Sequence, residues 1–388
     1  MSTGAPRIGV VGLGGMGRKH ASILEELGAE IVAGVDVDTE AMGFFAETFD
    51  AETYGDHVEL FEDTDVDALV VATPNRFHEA PAVAALESDR SVLIEKPLAH
   101  SLESARRIAA AAAASRGVCT VGFHNRYAGG ARLFERERQA DRFGTIRHVE
   151  ANYIRRRGVP GAGSWFTDPA LAGGGALLDI GVHALDLALF VLGDPVVTEV
   201  SGVTRMTPGS RGDESGDTHY GEADDAYVED ATTAFVRCEG GGTITLEVAW
   251  ATNRESATDL TIRGTRAGAK FDIGGPDVHI FDDPRTTLAD SNDGACDGQV
   301  ATDGTGGTLD DVVLSTASTD AGTRKQDEMF LSAIAGGNPE IGDTVTAGLR
   351  VQGIIEAIYR SAATNRAIDP RTMNGTHQPA DSPSVEIQ

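Results

Sequence analysis

Pro6 to Leu27 reads PRIGVVGLGGMGRKHASILEEL. Arg7 to Val11 is an apolar run of strand length, Gly12, Gly14 and Gly17 follow it as G-x-G-x-x-G, and an amphipathic helix is expected from about Gly15. Each glycine has its own reason to be there. Gly12 permits a tight turn, Gly14 lets the backbone approach a pyrophosphate, and Gly17 lets helix pack on strand. The phosphates then sit at the helix N-terminus, against Gly15 and Met16. A second strand, AEIVAGVDVD, ends in Asp36, 24 residues after Gly12, where a carboxylate can take a ribose diol. Strand, turn, helix, strand and acid in register define a dinucleotide cradle. Val37 follows Asp36 with no arginine or lysine beside it, so a 2′-phosphate would be repelled and NAD is expected in preference to NADP.

Further β-α alternation follows: VDALVVATPN then FHEAPAVAALES, RSVLIEKPLAH then SLESARRIAAAAAASRG, and VCTVGFHNRY. This is the pattern of a doubly wound parallel sheet running to about residue 123. Ser101 or His100 should begin the alanine-rich helix, with Glu103 in its first turn. Ligands in such sheets lie outside the carboxyl ends of the strands, where this chain places ATPNRFH (Ala72 to His78) and EKP (Glu95 to Pro97). Thr73, Pro74, Asn75, His78, Glu95 and Lys96 are therefore expected to line the cofactor. Lys96 is one of only four lysines in a chain that otherwise uses arginine, which points to ammonium chemistry at that loop.

The 388 residues are enough for two or three domains, and a 41% hydrophobic content marks a globular chain. No run of about 18 uninterrupted apolar residues occurs and the first residues lack a basic leader, so no membrane partner and a cytoplasmic location are expected. Cys119, Cys238 and Cys296 lie far apart and without metal-ligand spacing, which indicates neither a disulfide framework nor a metal site. Sixty acidic residues against 32 basic ones give a net charge of −28. Such a surface stays hydrated where salt shortens the Debye length, so a halophilic origin is expected; the same balance disfavours nucleic acid.

Gly173 to Asp186 reads GGGALLDIGVHALD. Asp179, His183 and Asp186 stand at i, i+4 and i+7 on an otherwise apolar helix, a single polar stripe. Buried carboxylates and imidazoles need partners, so the stripe is either a salt-bridged structural cluster or the wall of a polar cavity. From about Gly144 the pattern changes to period two, in TIRHVEANYIRRR, TEVSGVTRM, DATTAFVRCE, GGTITLEVAWAT and TDLTIRGTRAGAKFDI, a sheet with one solvated or interface face. Acidic, glycine-rich stretches at 207–225 and 282–307 read as loops, either solvated decoration or lids. Two helices, RKQDEMFLSAIAG and TVTAGLRVQGIIEAIYRSAATN, close the fold.

The glycine strand, ATPNRFH, EKP, GFHNRY and GGGALLDIGVHALD, in that order, resemble the Gfo/Idh/MocA family of glucose–fructose oxidoreductase and inositol dehydrogenase relatives, over roughly residues 6 to 365. The resemblance implies an N-terminal Rossmann domain (1–123) and an α/β substrate and oligomerisation domain (124–372) built on a large open, mostly antiparallel sheet. A disordered tail (373–388) would follow. It implies that Lys96 is the catalytic lysine, that Asp179 and His183 are the acid and histidine of a D-x-x-x-H helix, and that a homo-oligomer, a dimer or tetramer, forms through the C-terminal sheet. RRRGVPGAGSWFTD (Arg155 to Asp168) is similar to a branch acting on sugars, glycosides or cyclitols. GFHNRY departs from the commoner asparagine-arginine version, so no role is carried over to His124 or Asn125.

The chemistry expected is NAD-dependent interconversion of a secondary hydroxyl and a ketone on a sugar, glycoside or cyclitol. His183 would be the base, Lys96 would stabilise the substrate oxygen, and Asp179 would orient substrate or histidine. Asp186 is assigned to structure. Arg126, Arg156 (or Arg157) and Trp165 are expected against the substrate, the indole stacking on a sugar face. Two alternatives remain open at this stage: an NAD-dependent redox glycosidase, and a non-catalytic sugar or nucleotide sensor.

Overall fold

A computed structural model describes residues 4–161, 164–206, 210–212, 218–220, 228–282, 311–316, 322–337 and 344–373. The first half alternates β1 (Arg7–Val11), α1 (Gly15–Glu26), β2 (Glu30–Val35), α2 (Thr39–Phe49), β3 (Glu52–Tyr54), α3 (His57–Asp63), β4 (Ala68–Val71), α4 (Glu79–Glu87), β5 (Ser91–Ile94), α5 (Leu102–Ala114) and β6 (Cys119–Val121). The six strands form one sheet in the order β3-β2-β1-β4-β5-β6, every pair parallel. β4 and β5 are buried throughout because helices cover both faces, which is why they read as unbroken apolar runs. Local chemistry sets the helix starts: Asp38 caps α2 through the amides of Glu40 and Ala41, and Ser101 caps α5 through Ser104. Strand order reverses between β1 and β4, so a crevice opens at their carboxyl ends.

After α6 (Gly129–Gln139) and β7 (Ile146–Ile154) come α7 (Pro169–Ala172), a π-helical turn at Leu177–Gly181, and α8 (Val182–Val191). The remaining elements are β8 (Val197–Arg205), β9 (Ser210–Gly212), β10 (Thr218–Tyr220), β11 (Ala231–Cys238), β12 (Thr243–Ala249), β13 (Ala257–Gly264), β14 (Ala267–Asp272), β15 (Asp277–Asp282), β16 (Asp311–Ser315), α9 (Thr323–Ile334) and α10 (Thr344–Thr364). Eight of these strands make a second sheet, β16-β15-β14-β13-β7-β12-β11-β8, antiparallel except where β7 meets β12. Side chains alternate buried and exposed along β11, the signature of a sheet packed on one face.

Several details differ from the pattern-based reading. TDLTIRGTRAGAKFDI is a hairpin of two strands, β13 and β14, turning at Thr265 and Arg266. The sheet extends through β15 and β16, whose short apolar runs are separated by the acidic stretch 283–310 and gave no clear period. Within 207–225, β9 and β10 pair as a short antiparallel ribbon; the rest of that stretch, residues 283–307 and the tail from 374 lie outside the described residues. The segment Pro169–Val191 has the length and hydropathy of a membrane span, yet most of it is buried in this protein, α8 packing on β7, β12 and β13.

The last two helices return to the first sheet. α9 packs on α1 and α10 on α5 and β6, with Thr344 Oγ1 accepting from the Val121 amide at 2.9 Å and Lys19 Nζ donating to Thr323 Oγ1 at 2.8 Å. The second half is thereby stitched to the nucleotide-binding half at α1, α5 and β6.

Candidate active site

The glycine turn has the shape its sequence suggests. Gly12 has φ +92°, and a Cβ there would lie 2.6 Å from the Ala72 carbonyl; at Gly17 a Cβ would lie 1.9 Å from Gly12 O. A Cβ at Gly14 or Gly15 would meet nothing within 4 Å among the described residues, so the two glycines at the helix N-terminus face open space, where a ligand's phosphates can approach the backbone. Asp36 closes the rim. Its Oδ2 accepts from the Leu13 amide at 2.7 Å and its Oδ1 from Asp38 at 3.0 Å, which fixes the carboxylate and leaves lone pairs on both oxygens. Across the crevice Thr73 Oγ1 is buried without a partner among the described residues, an orphan that a bound ligand would satisfy. Residues present therefore fit a dinucleotide.

Not every expected cofactor side chain faces that crevice. Asn75 is buried and donates to Ala172 O at 2.8 Å, tying the β4 loop to α7. His78 sets its ring nitrogens 3.0 Å from Pro97 O and 2.9 Å from Thr73 O, stitching the two loops together. Both side chains hold the crevice wall in shape and are already engaged by protein groups.

Glu95 is likewise turned inward. His20 of α1 lies between it and Asp327 of α9, Nε2 2.9 Å from Glu95 Oε1 and Nδ1 2.9 Å from each Asp327 oxygen. Burial alone would lower the imidazolium pKa, but the hydrogen bonds and charges of Asp327 and Glu95 carry it up to about 10. Burial works against the Glu95 carboxylate as well, and His20 holds its pKa down at about 2. The other Glu95 oxygen accepts from the Lys96 amide at 3.1 Å, so this ion cluster anchors the backbone of the EKP loop. The Lys96–Pro97 peptide is cis.

Lys96 reaches across to the second half. Its Nζ donates to Asp179 O at 2.8 Å and to Asp179 Oδ1 at 3.1 Å, which uses two of three ammonium hydrogens. Asp179 Oδ2 accepts from Trp250 Nε1 at 3.0 Å. Asp179 sits in the π-helical turn, a wider winding that recurs at functional sites because it re-aims side chains. One turn on, His183 is buried edge-on to His124, ring centroids 5.0 Å apart, with Tyr153 at 6.4 Å. Among the described residues Nδ1 of both histidines lacks a protein partner. Burial, followed by the charge of Lys96, lowers the His183 pKa well below 6.5, so the ring is neutral at pH 7 and able to take a proton.

The polar stripe is thus divided. Asp179 and His183 flank Lys96, whereas Asp186 binds the Arg126 guanidinium through both oxygens, at 2.6 and 2.8 Å, fully buried. Arg126, expected to touch substrate, is consumed by that pair. Trp165 stacks on Phe166 at 3.8 Å, and Arg156 lies exposed beyond β7. The three glycines before the helix also find their cause: a Cβ at Gly173 would meet His100 O at 1.9 Å, at Gly174 the Tyr359 hydroxyl at 2.3 Å, and at Gly175 Glu229 O at 1.9 Å. Glu229 then caps the turn, accepting from the amides of Gly175 and Leu177 at 2.9 Å.

Trp250, Tyr153 and Glu229 escaped the sequence reading. Each lies on or next to a strand of the second sheet, and only the pairing of β7 with β12 brings Tyr153 and Trp250 to one end. The one available signal was rarity: Trp250 is one of two tryptophans.

A parallel nucleotide-binding sheet with a lysine, an acid and a histidine gathered at its carboxyl edge defines a dinucleotide-dependent dehydrogenase. Residues 6–123 match the family model described as an oxidoreductase family with an NAD-binding Rossmann fold, and residues 136–270 match the GFO/IDH/MocA C-terminal domain. The chain is 37% identical to a protein of Amycolatopsis mediterranei assigned as the oxidoreductase subunit of a UDP-kanosamine synthase, over 66% of this chain and 71% of that one. It is 29% identical to D-glucoside 3-dehydrogenase of Escherichia coli, over 95% and 99% of the two chains. Among solved structures, GenD2 from gentamicin A biosynthesis, in complex with NAD, superposes with a TM-score of 0.73 at 26% identity, covering 95% of this chain and 97% of that one. The chain belongs to the GFO/IDH/MocA oxidoreductase family, as an NAD(P)-dependent dehydrogenase with an NAD-binding Rossmann domain.

Proposed function

We propose that this protein interconverts a secondary hydroxyl and a ketone on a sugar, glycoside or cyclitol, using NAD in preference to NADP. The observation that carries the reading is the meeting of Lys96, Asp179 and His183 at the mouth of the dinucleotide crevice, with one ammonium hydrogen and one imidazole nitrogen left without partners among the described residues. Bound NAD supplies the hydride acceptor. The free N–H of Lys96 donates to the substrate oxygen and stabilises alkoxide character as the proton leaves. His183, neutral because it is buried beside an ammonium, accepts that proton. Asp179 holds the ammonium in place and is itself held by Trp250. The activities named for the two relatives, both directed at sugars, support the substrate class.

The test is reduced-nicotinamide absorbance with NAD and with NADP, in molar KCl suited to an acidic surface, across hexoses, inositols, sugar acids and glycosides. Steady reduction with a polyol is the expected result; a rise in melting temperature with NAD but no reduction by any compound would sink it. Asp36→Ala should weaken NAD and narrow its advantage over NADP, as read from the ratio of kcat/KM values. Self-association through the open face of the second sheet accompanies this reading, checked by light scattering.

A further inference from the structure

His124 and His183 come from different halves of the molecule and meet edge-on, ring centroids 5.0 Å apart and planes at 68°. His124 opens the short turn His124–Tyr127 just past β6. β6 runs beside β5 with Val121 paired to Ile94, so this turn leaves β6 where the EKP loop leaves β5, and His124 comes within reach of the charges of Glu95 and Lys96. Two glycines fix it there. A Cβ at Gly122 would come within 3.0 Å of Glu95 Oε1, and one at Gly322, φ +99°, within 2.0 Å of His124 O, so Glu95 and the start of α9 both close on this turn.

Neither ring is engaged by the protein. Among the described residues no hydrogen bond reaches either imidazole, and in each it is Nδ1 that is buried while Nε2 is accessible. A neutral imidazole carries one donor and one acceptor, and leaving them unmet in an interior is costly. His20 and His78 show the contrast: each has protein partners on both nitrogens, and each holds structure. Depth separates the two free rings. His183 is 7% exposed, whereas His124 is half-buried between the buried Phe123 and Asn125.

Charge gives the pair a direction. Burial first, then Lys96, His124 and Arg155, all oppose protonation of His183; Tyr153 is the remaining ring beside it, at 6.4 Å. Burial also opposes protonation of His124, as do Lys96, Lys19 and His20, but there Glu95 pulls the other way. A proton that reaches His183 is therefore better placed on the neighbouring ring, which is also the nearer to water.

We propose that His124 takes the substrate's proton from His183 and passes it to solvent, so that the two imidazoles form a relay out of the site. This rests on the dehydrogenase reading above and adds a residue to its machinery. Oxidation of the carbinol sends a hydride to NAD and leaves one proton to remove. As the substrate O–H bond breaks, that proton bonds to Nε2 of His183. The Nδ1–H bond of His183 breaks as Nδ1 of His124 is protonated, directly or through one water, and Nε2 of His124 gives up its proton to bulk water. Both rings end neutral, and exchange with water restores the starting tautomers once product has left.

The experiment measures kcat, KM and the solvent isotope effect on kcat for the full chain at saturating NAD, using the compound turned over fastest in the screen above. Parent, His124→Asn and His124→Gln are compared, each with and without excess imidazole, and melting curves show that a variant has folded. Both variants should lose kcat by about tenfold while KM and NAD affinity stay within about twofold of the parent. Their solvent isotope effect should rise, because proton exit now limits turnover, and imidazole should restore much of their rate while leaving the parent unchanged. An unaltered kcat in both variants, a loss that falls on KM, or a loss that imidazole does not restore would each overturn the relay; the last two would make His124 a substrate contact or a packing residue. Those outcomes leave the dehydrogenase standing, whereas no NADH from the parent with any sugar, inositol or glycoside would bring down the dehydrogenase reading and the relay with it.

Discussion

The helical segment Leu177–Val191 carries two cation–carboxylate pairs, less than two turns apart, and they differ in what is left over. Arg126 and Asp186 are 3% and 2% exposed and meet through two short, parallel hydrogen bonds. Phe123 and Phe190 lie close to the same guanidinium, and Asp194 stands 3.8 Å away. Lys96 and Asp179 are 16% and 13% exposed, meet at 3.1 Å, and leave one ammonium hydrogen without a partner among the described residues. A closed pair can only hold elements together; an open pair beside a neutral imidazole can act on a substrate. Burial and stoichiometry of donors, more than residue type, separate the two.

The sharpest way to break this contrast is at the open pair. Lys96→Met or His183→Ala should lower kcat by about 10²–10⁴ while NAD binding, measured by fluorescence titration, changes little. Near-normal turnover in both would remove the site. At the closed pair the loss should fall on stability: Arg126→Met strands a buried carboxylate and should cost about 3–5 kcal/mol in denaturant unfolding. If Lys96→Met cost as much stability as Arg126→Met, the distinction between open and closed pairs would collapse.

Trp250→Phe probes the boundary of the open pair. It keeps an aromatic ring but removes the indole N–H bond to the carboxylate, worth about 1.5 kcal/mol, and part of a fully buried side chain, so kcat should drop about tenfold and the melting temperature should fall with it. A turnover equal to the parent would mean that Asp179 needs no such anchor.

The last comparison concerns His20, at the centre of a third buried ion cluster. Its pKa rises from 6.5 to about 10 on folding, so its contribution to stability is complete below pH 6.5 and is lost as pH climbs through 10. The melting temperature should therefore decline across pH 6.5 to 10, and His20→Gln should flatten that decline. Glu95, depressed from 4.5 to about 2, contributes stability that is present above pH 4.5 and lost toward pH 2. Equal alkaline slopes for the parent and His20→Gln would refute the cluster's ionic character.

Legibility in the sequence followed the range of the interactions. β1, the glycine turn and α1 were readable because a period, a turn and a close backbone approach are fixed by neighbouring residues. Lys96 was readable for a related reason: a parallel strand must end in a loop at the ligand edge. By contrast, the same ATPNRFH loop that announced itself as functional gave no sign that Asn75 and His78 bond Ala172 and Pro97 while Thr73 keeps a free hydroxyl. Arg126 carried an equal charge and an equally suggestive motif, yet belongs to the closed pair.

The sequence by itself determined the dinucleotide cradle, the doubly wound sheet, the placing of Lys96, Asp179 and His183 in loops and on a helix able to face a ligand, and the acidic surface. These depend on local periodicity and on the hard sterics of glycine. The tertiary structure alone decided which acid is free and which is locked, that Trp250 anchors Asp179 and Glu229 caps the glycine-led turn, and that α9 closes an ion cluster on α1. Those choices arise where strands and helices far apart in the chain are brought within hydrogen-bonding distance, at separations of 71 residues for Trp250 and Asp179 and 307 for His20 and Asp327, which no local pattern encodes.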